Sequence, residues 1–72
     1  MKKASVISKM PGKIVQIKVK VGDQVKEGQE LCMIEAMKMQ MPVMSPQNGV
    51  VSEIKVTAGQ GVKKGDVLIE LK

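Results

Sequence analysis

GKIVQIKVKVGDQVKEGQELCMIE, residues 12–35, decides the fold, because the chain writes it twice. Displaced by 37 positions, it falls without a gap on GVVSEIKVTAGQGVKKGDVLIELK, residues 49–72. Nine of the 24 pairs are identical: Gly12/Gly49, Ile17/Ile54, Lys18/Lys55, Val19/Val56, Gly22/Gly59, Val25/Val62, Lys26/Lys63, Gly28/Gly65 and Leu31/Leu68. Other pairs keep apolar character, such as Ile14 with Val51 and Cys32 with Ile69.

Each copy opens with an alternating strand. In the first copy Ile14, Gln16 and Lys18 fall on one side and Val15, Ile17 and Val19 on the other. In the second, Val50, Ser52 and Lys55 oppose Val51, Ile54 and Val56. A glycine corner follows, Val21-Gly22-Asp23-Gln24-Val25 or Ala58-Gly59-Gln60-Gly61-Val62. A second turn, Glu27-Gly28 or Lys64-Gly65, leads to a second strand, Leu31–Glu35 or Val67–Leu71. Glycine supplies turn conformations that cost other residues more, and β-branched residues suit the strands between. Helical spacing is sustained nowhere. Two units of three or four strands, each too small to bury its own apolar side, are expected to pack face to face. The fold expected is all-β, a flattened barrel or sandwich with an internal pseudo-two-fold repeat, its strand edges mostly hidden.

The totals suit this. At 72 residues the chain is one domain, residues 1–72, with a small core. Cys32 is the only cysteine, so no internal disulfide contributes, and its apolar surroundings predict a buried, inert thiol. No apolar run is long enough to span a bilayer, and Met1-Lys2-Lys3 does not lead into a signal-peptide core. A cytoplasmic setting is the expectation. The net charge is +5, carried by lysine alone among the basic residues, and the aromatic count is 0 %. Arginine forks and stacking platforms, the usual tools of nucleic-acid recognition, are missing, so no nucleic acid is expected as partner. General acid–base chemistry wants histidine or paired carboxylates, and metal sites want clustered ligands; His is 0 and the acids are scattered. Gly12-Lys13 and Gly22-Asp23 read as turns rather than phosphate loops. The chain is expected to be no enzyme by itself.

Between the copies lies a crossing, residues 36–48. A tight reversal there calls for Asn-Gly or Asp-Gly. The chain offers Met37-Lys38-Met39 instead. Five methionines, Met33, Met37, Met39, Met41 and Met44, crowd into residues 33–44. Met33 and Met44 read as core filling in a domain without aromatics. Met37 and Met39 flank a turn, where side chains are normally polar, so they predict a surface that a partner covers. Lys38 between them is either one more surface charge or an amine presented for covalent modification.

Glu35-Ala36-Met37-Lys38-Met39 resembles the attachment motif of biotinyl domains, the biotin carboxyl carrier modules of biotin-dependent carboxylases and decarboxylases. Met10-Pro11-Gly12 is similar to that family's opening, Gly22-Asp23-x-Val25-x-x-Gly28-x-x-Leu31 to its turn pattern, and Pro46-x-x-Gly49 to the start of its second half. The resemblance covers nearly the whole chain. It implies two four-stranded antiparallel sheets, biotin as covalent cofactor on Lys38, and Glu35, Ala36, Met37 and Met39 as the residues a biotin protein ligase recognises. It also implies two further partners, a biotin carboxylase and a carboxyltransferase, between which the carrier shuttles a carboxyl group on an arm with a reach on the order of 12–14 Å. A free lysine amine titrates near 10.4, so only about one in 2,500 is neutral at pH 7; the ligase must supply deprotonation.

Gln40 and Met41 stand where the family often has an acid and a polar residue, and no protruding thumb is inserted between Ile17 and Leu31. The missing thumb points toward carriers of the pyruvate, propionyl-CoA, methylmalonyl-CoA or oxaloacetate type. Two other readings stay open: a lipoyl-type carrier domain, which usually has an acid before its lysine, and a cofactor-free basic β-barrel that binds a partner.

Overall fold

The computed structural model describes residues 3–72; Met1 and Lys2, part of the N-terminal stretch read above for a signal, lie outside the described residues. Eight strands follow one another: β1 (Ala4–Ile7), β2 (Gly12–Ile17), β3 (Gln24–Val25), β4 (Glu30–Ala36), β5 (Met39–Met44), β6 (Gly49–Ile54), β7 (Gly61–Val62) and β8 (Val67–Leu71). They form two four-stranded sheets, β1-β8-β6-β3 and β5-β4-β2-β7, and every pairing is antiparallel. This is the flattened all-β barrel expected from the repeat.

The displacement of 37 holds down to single pairs. Ile14 opposes Ile34 in one sheet, and Val51 opposes Leu71 in the other. Gly12 opposes Val62 as Gly49 opposes Val25. The short strands are therefore exchanged: β3, from the first copy, is stitched to β6, and β7, from the second, to β2. The symmetry also reaches back beyond residue 12. Cys32 opposes Val43 on β5 as Ile69 opposes Val6 on β1. Ser8 and Ser45, both buried, each donate a side-chain hydrogen bond of 2.6 Å to a carbonyl two residues on, that of Met10 or Gln47.

Between the sheets lie matched residues from the two copies: Ile14 and Val51, Val19 and Val56, Val25 and Val62, Leu31 and Leu68, Cys32 and Ile69, Ile34 and Leu71. A shared core answers the size problem, since neither copy could bury its own apolar face.

Three expectations are corrected. In β2 the side assignment fails at Ile14 and Val15: Ile14 is buried, and Val15 is exposed. The pairing with β4 shifts between Ile14 and Gln16, and this bulge puts Val15 and Gln16 outside together before Ile17 turns back in. The second copy carries the same shift between Val51 and Glu53, which the assignment there already accommodated. Met44 is 49 % exposed rather than in the core, and Met33 is only half-buried, opposite Pro42. Gly12-Lys13 opens a strand instead of making a turn.

Candidate functional site

β4 and β5 pair from Glu30/Met44 up to Ala36/Met39, leaving two residues, Met37 and Lys38, to reverse the chain. Both have positive φ, 52° and 65°. Positive φ at the two central positions is the mark of the type I′ turn, whose twist matches the flanking strands. The chain thus adopts the turn that Asn-Gly would favour, with Met and Lys in its place. A left-handed conformation costs a residue with a side chain about 1–2 kcal/mol. Six paired positions on β4 and β5 hold it there.

This placement decides how the side chains stand. Met37 is 93 % exposed and Met39 65 %. Lys38 is exposed between them and, among the described residues, forms no ion pair. Glu35, also exposed, lies on β4 between Lys13 of β2 and Gln40 of β5. Ala36 behaves differently: at 7 % exposure it belongs to the barrel wall beneath the turn. Four of the five motif side chains are therefore open to a partner, and the fifth supports the strand that carries them.

Cys32 is buried within β4. Burial first, and then the nearby Glu30 carboxylate, push its thiol up to about 11, which leaves it protonated and unreactive at neutral pH. Glu30 itself meets Lys18 Nζ at 3.0 Å. A groove of about 450 Å³ opens between the edge strands β1 and β5, lined among others by Val6, Ile7, Met10, Met41 and Met44, with Lys9 as its titratable side chain. Among the described residues no group of three or more His, Cys, Asp or Glu is arranged to hold a metal ion, and no helix is long and apolar enough to cross a membrane.

A primary amine that forms no ion pair among the described residues, at the tip of a strand-backed turn, is open to a partner. A biotin–lipoyl family model, described as "Biotin-requiring enzyme", matches residues 3–71. The chain belongs to the biotin–lipoyl family. The mouse (Mus musculus) propionyl-CoA carboxylase alpha chain, mitochondrial, is 46 % identical over 69 residues, 96 % of this chain and 10 % of that one. The mouse mitochondrial pyruvate carboxylase is 39 % identical over 70 residues, 97 % of this chain and 6 % of that one. Among solved structures, the Kluyveromyces lactis urea carboxylase superposes with a TM-score of 0.92 at 29 % identity, covering 100 % of this chain and 6 % of that one. This biotin–lipoyl chain spans about a tenth or less of the length of these proteins. The relatives named are carboxylases.

One residue of the site escaped the sequence reading. Gly12, read as a turn, lies across from Ala36 at the base of the lysine hairpin.

Proposed function

We propose that the chain is a biotin carboxyl carrier, with biotin joined to Lys38 through an amide. The observation that carries this is the turn itself: an exposed amine at φ 65°, between two exposed methionines, at the one two-residue reversal that the repeat leaves over. Lys38 Nζ is the nucleophile. It attacks the acyl carbon of biotinyl adenylate held by a biotin protein ligase; the N–C bond forms, the C–O bond to AMP breaks, and the amine gives up a proton to the ligase or to solvent. When attached, biotin supplies the ureido nitrogen that carries a carboxyl group. This chain's residues then do three things. The β4–β5 hairpin fixes the attachment point, so that little of the amine's placement is left to chance. Met37 and Met39 offer the ligase apolar contact on either side of the amine. Glu35, open to solvent beside the turn, adds a charge for it to read.

The chain is non-catalytic in this reading. Carboxylation falls to a biotin carboxylase and transfer to a carboxyltransferase, as separate domains or subunits. The names of the relatives, propionyl-CoA carboxylase and pyruvate carboxylase, support an acceptor of the kind carboxylases use.

Co-expression with a biotin ligase followed by intact-mass and peptide analysis tests it. The expected result is one biotinyl increment on Lys38, absent in Lys38→Arg at unchanged thermal stability. A lipoyl increment at Lys38, or no modification at all, overturns the reading.

A further inference from the structure

Glycines in this chain do two different jobs. Gly22, Gly28, Gly59 and Gly65 have positive φ and open space where a Cβ would stand, so they serve backbone conformation. Gly12 has no positive φ, and its surroundings are crowded: a Cβ there would lie 2.6 Å from Ile34 Cγ2, 2.7 Å from the Glu35 carbonyl oxygen and 3.3 Å from Ala36 Cβ. All three are on the last turnward stretch of β4. Gly49, its counterpart in the repeat, is less confined, its nearest neighbours being the Lys72 carbonyl oxygen at 3.1 Å and Leu71 Cβ at 3.7 Å. The tight approach is therefore found at the lysine end and relaxed at the symmetry-related chain end.

We propose that Gly12 is a positioning residue for Lys38: its missing side chain lets β2 pass close under Glu35 and Ala36 and so sets the height and tilt of the turn that holds the amine. Ordinary contact begins at 3.4 Å, so a methyl group at Gly12 requires the Glu35 carbonyl to retreat by about 0.7 Å, 3.4 less 2.7. That carbonyl is backbone, and no rotamer change relieves the collision. β2 is held against the shift. It is an inner strand, tied on its far side by the hydrogen bonds Ile14 N–H to Gln60 O at 2.8 Å and Gly59 N–H to Ile14 O at 2.6 Å. β5 is an edge strand, so the β4–β5 tip moves outward. A displacement approaching 1 Å of a reacting group can cost on the order of 100-fold in rate.

The inference rests on the carrier reading for its kinetic consequence but not for its geometry, and the test separates the two. First, amide spectra (¹H–¹⁵N) of the unmodified chain are compared for wild type, Gly12→Ala and Gly49→Ala. Gly12→Ala is expected to move the resonances of residues 35–39, and Gly49→Ala to leave them in place. Second, biotin transfer is measured with adenylate preformed on the ligase, at matched thermal midpoints or corrected for the folded fraction. Gly12→Ala is expected to lower kcat at saturating carrier about tenfold or more, with Gly49→Ala within about twofold of wild type. A residue that merely stabilised the fold would reduce the folded carrier and raise apparent KM while leaving kcat alone. Unmoved resonances at 35–39, a loss confined to KM, or an equal loss in Gly49→Ala overturns the proposal. Should Gly12→Ala not fold, Ala36→Val closes the same gap from the β4 side, and turn resonances left at their wild-type positions in it overturn the proposal equally. Failure of wild type to accept biotin sinks the carrier reading and leaves the spectral test standing.

Discussion

The hairpin end of the barrel and the chain ends are the same place built twice. Ile34 faces Met41 near the tip of β4 and β5, as Leu71 faces Ala4 on β8 and β1. In one copy β4 and β5 are joined by Met37 and Lys38; in the other β8 and β1 pair with no turn directly connecting them. The scaffold does not need the link, because β1 and β8 pair without it. The residues spent on the link are poor turn formers in a left-handed conformation, a cost that fits the display proposed for them. A duplicated core carries the hairpin, and the Met37-Lys38 turn is where the two halves differ most plainly.

Measurements can break this comparison. The largest stability effect is expected at the core pair Leu31 and Leu68, both fully buried. Truncating either to Ala should lower unfolding free energy by about 2–5 kcal/mol, and the two values should agree within about 1 kcal/mol if the halves are energetically equivalent. Chemical denaturation of both variants decides it; a large inequality would mean that one half dominates folding. Ser8→Ala and Ser45→Ala come next. Each removes the donor of a partly buried hydrogen bond to a carbonyl, and each should cost about 1–2 kcal/mol by the same assay. Because Ser45 leads out of β5 and Ser8 out of β1, a clear difference between them would show that the covalent hairpin already stiffens its half.

The smallest effect runs the other way. Met37→Asn places at φ 52° a residue that tolerates the left-handed region, and should raise stability by about 0.5–1 kcal/mol, a rise of a few degrees in Tm. The same substitution removes an exposed methionine beside Lys38 and is expected to slow biotin transfer. Opposite signs in calorimetry and in ligase kinetics would establish that the turn holds strain for the sake of display. A loss of stability would show that Met37 is held by packing instead.

Much of this was legible in the linear chain, for physical reasons. A repeat at fixed displacement places equivalent side chains in a shared core, so Ile14/Val51 or Leu31/Leu68 could be matched before any coordinate. Glycine corners marked the turns, and the crossing between copies singled out Lys38. The outer strands β1 and β5 were harder, because their pairs, Ala4/Met41, Ser5/Pro42 and Ile7/Met44, share little; only Val6/Val43 and Ser8/Ser45 carry the repeat back to them. In β2 the bulge was hidden because exposed Val15 is apolar and keeps up the alternation, whereas the polar pair Ser52-Glu53 marks the same bulge in the second copy.

By itself, then, the sequence determined the all-β class, the two-fold plan, the matched core and the lysine at the reversal, because periodicity and turn chemistry act over a few residues. Tertiary structure alone decided which strand lies beside which, including the exchange of β3 and β7 between halves. It also decided the left-handed backbone of Met37 and Lys38 and the crowding at Gly12. Those depend on contacts between segments distant in the chain, and local sequence carries no record of its neighbours across a sheet.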